Sequence, residues 1–116
     1  MRRPVRGSRL GEFEELVLMA VAALDGQGYG LTVQQLLADE VGRSVSLGAI
    51  HATLYRLEDK GFLESGMQGA TEERGGRRKR MFRVTGAALE ALREAQEARN
   101  SLLARMPDGL RPGVSS

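Results

Sequence analysis

Apolar residues between Gly11 and Leu24 recur at three- and four-residue steps, at Phe13, Leu16, Val17, Ala20 and Leu24. That spacing marks one face of a helix. Leu18, Met19 and Val21 widen the stripe until the helix is apolar most of the way round, as expected of one shared between a core and a partner. Glu12, Glu14 and Glu15 sit in its first turn, where they complement the helix dipole. Asp25-Gly26-Gln27-Gly28 breaks it. A second helix is predicted over about Thr32 to Glu40, with Val33, Leu36 and Leu37 inward, Thr32 as N-cap and Gly42 as C-cap. A third follows Ser46 as N-cap and stops at Gly61. Its stripe is Ile50, Leu54 and Leu57, with Leu47 on the edge. Gly48, Ala49, Ala52, Tyr55, Arg56 and Asp59 point the other way, and His51 lies at the margin.

The period then shortens. Phe62 to Ser65 reads as a short strand, and residues 66–76 as a loop. Arg80 to Val84 alternates like a second strand, with Met81 on one face and Phe82 and Val84 on the other. A last helix is predicted from Thr85 or Gly86 to about Met106, with Leu89, Leu92, Ala95, Arg99, Leu102, Leu103 and Met106 at near-heptad steps. Pro107-Asp108-Gly109 stops it. The fold class is thus mainly α with a small β-hairpin. Its parts are an arm at 1–9, a domain at 10–84, a long helix at 85–106 and a tail at 107–116 expected to be disordered.

Composition narrows the possibilities. The 116 residues contain no Cys and one His, so a disulfide framework, a thiolate nucleophile and Cys/His zinc sites are all excluded. No cofactor, metal site or catalytic constellation is indicated, and the chain does not read as an enzyme. No stretch reaches the apolar length of a membrane span. The Arg-rich start is followed by Glu12, Glu14 and Glu15 rather than by the apolar run of a signal peptide, so the chain reads as cytoplasmic. Net charge is only +2, but ten of the seventeen basic residues lie in two acid-free blocks, residues 1–9 and 74–83. Two basic patches on an otherwise acidic body form an electrostatic footprint for a polyanion.

Three short helices followed by a basic hairpin are the order of a winged helix-turn-helix. A helix fits the major groove, and a basic hairpin can follow the flanking backbone or enter a narrow minor groove. Leu10-Gly11-Glu12-Phe13-Glu14, Tyr29-Gly30, the run from Ser46 to Gly61, and Arg74-Gly75-Gly76-Arg77-Arg78-Lys79-Arg80 leading into Phe82-Arg83-Val84-Thr85 together resemble the PadR family of transcriptional regulators. The resemblance covers roughly residues 10–103 and fits the short subclass with a single C-terminal helix. It implies a winged-helix fold, dimerisation through the C-terminal helix with help from the first, usually repression, and often a response to small apolar or phenolic effectors. The family commonly has Tyr where this chain has His51, often Pro at Ala52, and a small or charged residue at Tyr55. These departures lie on or beside the DNA-facing side and bear on base preference, not on docking.

The expected function is sequence-specific binding of double-stranded DNA by a homodimeric repressor on a roughly palindromic operator. The alternative is a winged-helix protein-interaction module. The DNA-binding candidates are Tyr29, Ser46, Gly48, Ala49, His51, Ala52, Tyr55, Arg56, Arg74, Arg77, Arg78, Lys79 and Arg80. Arg83 can instead be structural. Tyr55 either touches phosphate or packs on the wing, and His51 is a DNA contact or a surface histidine. Tyr29 either packs at a helix start or reaches a phosphate, and Arg2, Arg3, Arg6 and Arg9 form an arm that reaches a groove or stays unengaged. The dimerisation candidates are Phe13, Val17, Leu89, Leu92, Arg99, Leu102, Leu103 and Met106, with Arg99 expected to meet an acid across the interface. The alternative for the last helix is to fold back on its own domain.

Overall fold

A computed structural model describes residues 10–68 and 79–113. The elements run α1 (Glu12–Leu24), α2 (Gly30–Val41), α3 (Leu47–Asp59), β1 (Leu63–Gln68), β2 (Lys79–Val84) and α4 (Gly86–Arg105), followed by a single 3-10 turn at Asp108–Leu110. The expected mixture of helices and one antiparallel hairpin is present. Among the described residues no helix is long and apolar enough to cross a membrane.

Two boundaries differ from the sequence pattern for local reasons. The second helix begins at Gly30, with Tyr29 as its extended N-cap. Thr32 lies inside the first turn, where its Oγ1 accepts the Tyr29 N–H at 3.0 Å. It acts as the backward-reaching half of a capping box, so the N-cap is Tyr29 and not Thr32, and the helix starts earlier than the hydrophobic pattern indicates. β1 begins at Leu63 and extends to Gln68, beyond the expected Ser65, because the ladder continues as far as Gln68 opposite Lys79.

The α3 stripe needs no correction. Ile50, Leu54 and Leu57 are wholly buried, in one cluster with Val17, Leu18 and Val21 of α1, Val33 and Leu37 of α2, Phe62 just before β1, and Leu63 and Phe82 of the hairpin. Side chains of this size are worth about 1.5–3 kcal/mol each when buried. One hairpin face carries Leu63, Ser65 and Met67 opposite Val84, Phe82 and Arg80, and the other carries Glu64, Gly66 and Gln68 opposite Arg83, Met81 and Lys79. Met81 and Phe82 do point to opposite faces, yet both are buried, so the base of the hairpin is covered on both sides. Val17 was expected at a dimer contact. It is enclosed in the protomer's own core and has no surface left to offer a second chain.

Two long-range anchors hold the helices and hairpin together. The Phe82 N–H donates to the Gly28 carbonyl at 2.8 Å, so the chain entering α2 runs along the outer edge of β2. A Cβ at Gly28 would lie 2.6 Å from the Phe82 carbonyl oxygen, and two backbones this close leave no room for a side chain. The second anchor is the buried carboxylate of Glu14 on α1. Its Oε1 accepts the Gly11 N–H at 3.0 Å, its Oε2 accepts Arg56 Nε at 3.1 Å, and Lys60 Nζ lies 3.1 Å from both oxygens. Burial pushes this carboxyl up, but the Gly11 N–H and the two cations together outweigh that and hold it below the ordinary glutamate range.

α4 is attached more lightly. Thr85 caps it, accepting the Ala88 N–H and donating to the Gly61 carbonyl at 2.9 Å. Ala88 is its one buried residue, and Ala91 and Leu92 pack against the core from its edge. Farther along, Arg99 donates to Glu15 Oε1 at 2.7 Å. The acid that Arg99 meets is therefore on α1 of its own chain rather than across an interface. The helix ends before Pro107, as expected. Beyond it the predicted disorder gives way to the turn at Asp108–Leu110, where Arg111 reaches back to the Ala104 carbonyl at 3.3 Å.

Two stability measurements follow. Gly28→Ala should lose about 1–3 kcal/mol in urea unfolding, the usual cost of overpacking. Gly48→Ala, with open space around the added methyl, should lose nothing and can gain from helix propensity. For Glu14→Gln the loss at neutral pH should be about 1.5–3 kcal/mol, that of a charged hydrogen bond. Because the folded carboxyl titrates below its unfolded value, its stabilisation is complete above about pH 4.3 and disappears as pH falls through the folded value. The gap between wild type and Glu14→Gln in unfolding midpoint should therefore hold from neutral pH to about pH 4.3 and close as the pH is lowered further. A gap that stays constant below about pH 4.3 would show that the carboxylate charge is not what stabilises the fold.

Candidate nucleic-acid interface

The exposed side of α3 begins with Ser46, whose Oγ accepts the Ala49 N–H at 3.1 Å. Gly48, Ala49 and Ala52 follow, all exposed. With no bulk on these three positions, the helix can approach another surface closely. No Cβ placed at Gly48 meets anything within 4 Å. This face is held outward by the stripe behind it and by Thr53, a buried residue whose hydroxyl donates to the Ala49 carbonyl at 3.0 Å.

His51 and Tyr55 occupy one flank of that face. The imidazole of His51 lies over the start of α2, so close that a Cβ on Gly30 would sit 2.3 Å from its Nε2. Its ring is stacked with that of Tyr55 at 6.3 Å between centroids. Tyr55 in turn meets the Phe82 ring edge-on at 5.7 Å and 72°, a favoured aromatic geometry. Tyr55 thus packs on the wing, one of the two roles its sequence left open, while remaining 45% exposed. Half-buried His51 fills the joint between α2 and α3. The Tyr29-Gly30 pair has the same logic: glycine at position 30 gives the imidazole its seat.

The cations divide into two groups. Arg56 spends its Nε on Glu14 and one terminal nitrogen on Thr53 at 3.3 Å, leaving its side chain 52% exposed. It is an anchored residue on the rim, not a free arm. Arg80 is similarly occupied, donating to Ser65 Oγ at 2.9 Å. Lys79 is exposed, with its Nζ 5.0 Å from the centroid of the Tyr29 ring, a cation–π contact that ties the start of β2 to the start of α2. Arg83 is exposed opposite Glu64 on the hairpin. Arg74, Arg77 and Arg78, like the arm with Arg2, Arg3, Arg6 and Arg9, lie outside the described residues.

Sequence reasoning missed Gly28, Glu14, Thr53 and Ser65, which position this surface. Glu14 was seen only as a helix-start acid and Gly28 only as a breaker. The weak available signal was an acid within an otherwise apolar helix face and two glycines one residue apart before a helix start. The structure joins Ser46, Gly48, Ala49, His51, Ala52, Tyr55 and Arg56 on one element, and brings Tyr29, Lys79 and Arg80 beside it.

Residues 17–94 match the Transcriptional regulator PadR-like family. No curated protein matches the chain. Among solved structures, the chain resembles a PadR-like transcriptional regulator from Bacillus cereus strain ATCC 14579, with a TM-score of 0.66 at 20% identity over 88% of this chain and 93% of the other. A PadR family transcriptional regulator from Eggerthella lenta DSM 2243 superposes with a TM-score of 0.61 at 25% identity over 78% and 79%. RosR of H. salinarum does so with a TM-score of 0.63 at 23% identity over 85% and 82%. The family match spans well over half of the chain, and the chain belongs to the PadR-like family of transcriptional regulators.

Proposed function

We propose that the protein is a homodimeric, sequence-specific DNA-binding repressor. The observation that carries this reading is the exposed, small-residue face of α3 (Gly48, Ala49, Ala52) standing beside a hairpin that leads into the acid-free, cation-rich run at 74–83. α3 enters the major groove, and Lys79, Arg80 and the arginines at 74, 77 and 78 neutralise flanking phosphates. Tyr29 and Arg56 lie on the rim, within reach of the backbone. His51 and Tyr55 set the angle of α3 against α2 and the wing, and so influence which bases the helix meets.

Support for a dimer comes from α4. It is 20 residues long with one residue buried, and it leaves Leu89 53% and Leu102 70% exposed. Leu92, Leu103, Met106 and, on α1, Phe13 are half-buried beside them. An apolar stripe of this length on so small a domain fits pairing with its twin. Two-fold symmetry then implies a roughly palindromic operator with half-sites about one turn, 10–10.5 base pairs, apart. A small apolar or phenolic effector, if one acts, has its place between the paired helices.

A salt titration against genomic duplex fragments tests the DNA reading. Six neutralised phosphates correspond to a loss of about a thousandfold in affinity between about 50 and 200 mM salt. Arg77→Ala with Arg78→Ala should weaken binding and flatten that dependence. Binding that is absent at low salt, or indifferent to salt, rejects the proposal, and capture of an acidic protein instead would favour the interaction-module alternative. Leu102→Asp should convert the dimer to monomer in light scattering and sharply reduce DNA affinity. A variant that remains dimeric would place the interface elsewhere.

A further inference from the structure

A hydrogen-bond chain crosses from α3 to the wing through a residue with no part in the reading above. The Ser65 hydroxyl on β1 donates to Glu58 Oε2 at 2.8 Å, and its oxygen accepts NH1 of Arg80 at 2.9 Å. Glu58 lies in the last turn of α3, Ser65 near the middle of β1 and Arg80 near the start of β2. All three are half-buried. Ser65 and Arg80 share the hairpin face that also carries Phe82, the face against which Tyr55 of α3 packs.

The chemistry suits a relay. A hydroxyl can accept from a guanidinium and donate to a carboxylate at once, and both of its bonds here involve an ion, the stronger class of hydrogen bond. An arginine on a hairpin otherwise samples many rotamers, and ordering it on a phosphate carries an entropic cost. Holding one nitrogen on Ser65 removes much of that cost, and among the described residues the other guanidinium N–H groups take no hydrogen-bond partner, so they can serve the duplex. The same chain fixes the wing relative to α3, so that a base-reading helix and a phosphate-gripping hairpin dock in one register.

We propose that Ser65 is a positioning residue for DNA binding, which aims Arg80 at the phosphate backbone by bridging it to Glu58 of α3. This rests on the DNA-binding reading above. Phosphate contacts do not depend on sequence, so a fluorescein-labelled mixed-sequence duplex at low salt is a sufficient probe for a double-mutant cycle. Ser65→Ala should weaken binding about three- to tenfold and reduce the salt slope by about 0.9, the signature of one lost phosphate contact. It should add nothing once Arg80→Ala is present, and Ser65→Thr, which keeps the hydroxyl, should restore binding. Glu58→Ala gives an independent readout. Removing an acid near DNA ordinarily tightens binding, whereas loss of the relay should weaken it. Additive losses for Ser65→Ala and Arg80→Ala, or tighter binding by Glu58→Ala, would overturn the proposal while leaving DNA binding intact. A wild-type protein that ignores the duplex at low salt would overturn the DNA-binding reading itself, and this inference with it.

Discussion

Phe82 is the point at which the parts of this domain meet. Its ring is buried in the core, its edge-on partner is Tyr55 of the third helix, and its backbone N–H is held by the Gly28 carbonyl between the first two helices. One residue therefore fixes the hairpin against both the helix that presents the small-residue face and the connection that starts the helix before it. Because protein interiors are close-packed, these contacts transmit position. A shift of the wing has to move Tyr55, His51 or the second helix with it.

Charge is organised around the same scaffold. The body of the chain is acidic, yet several of its acids are spent on holding its own cations. Glu14 takes Arg56 and Lys60, Glu15 takes Arg99, and Glu12 takes Arg43 at 2.8 Å. Glu14 is buried and multiply bonded, and removing it takes a partner from a backbone donor and from two cations that still reach water, their side chains being 52% and 25% exposed. The exposed pairs contribute less, as surface pairs generally do. The cations of α3 are thus anchored toward α1, while on β2 Arg80 is held by Ser65 and Lys79 lies against the Tyr29 ring.

Most of the fold was legible in the chain because it is written in local periodicity. The i, i+3 and i, i+4 steps of Ile50, Leu54 and Leu57 locate the third helix and its inner face without reference to any other element. The same is true of the N-cap at Ser46, the stop at Gly61, and the alternation through Met81, Phe82 and Val84. Local signals failed where two roles share one residue type. A threonine that caps from inside the first turn looks like one that caps from outside it, so α2 was begun at Thr32 rather than Gly30. Val17 belongs equally to a core stripe and to a dimer stripe by spacing alone.

By itself, the sequence determined the winged-helix order, the outward face of small residues on α3 and the concentration of cations at 74–83. These depend on residues near one another along the chain. Only the tertiary structure decided which partner each long or ambiguous side chain takes. It set Arg99 on Glu15 and Arg56 on Glu14, Tyr55 on Phe82, His51 over Gly30, and Ser65 between Glu58 and Arg80. The physical reason is one of range. Helix and strand periods are set by backbone geometry within a few residues, whereas an arginine or glutamate several bonds long selects among all the groups that packing brings within its reach.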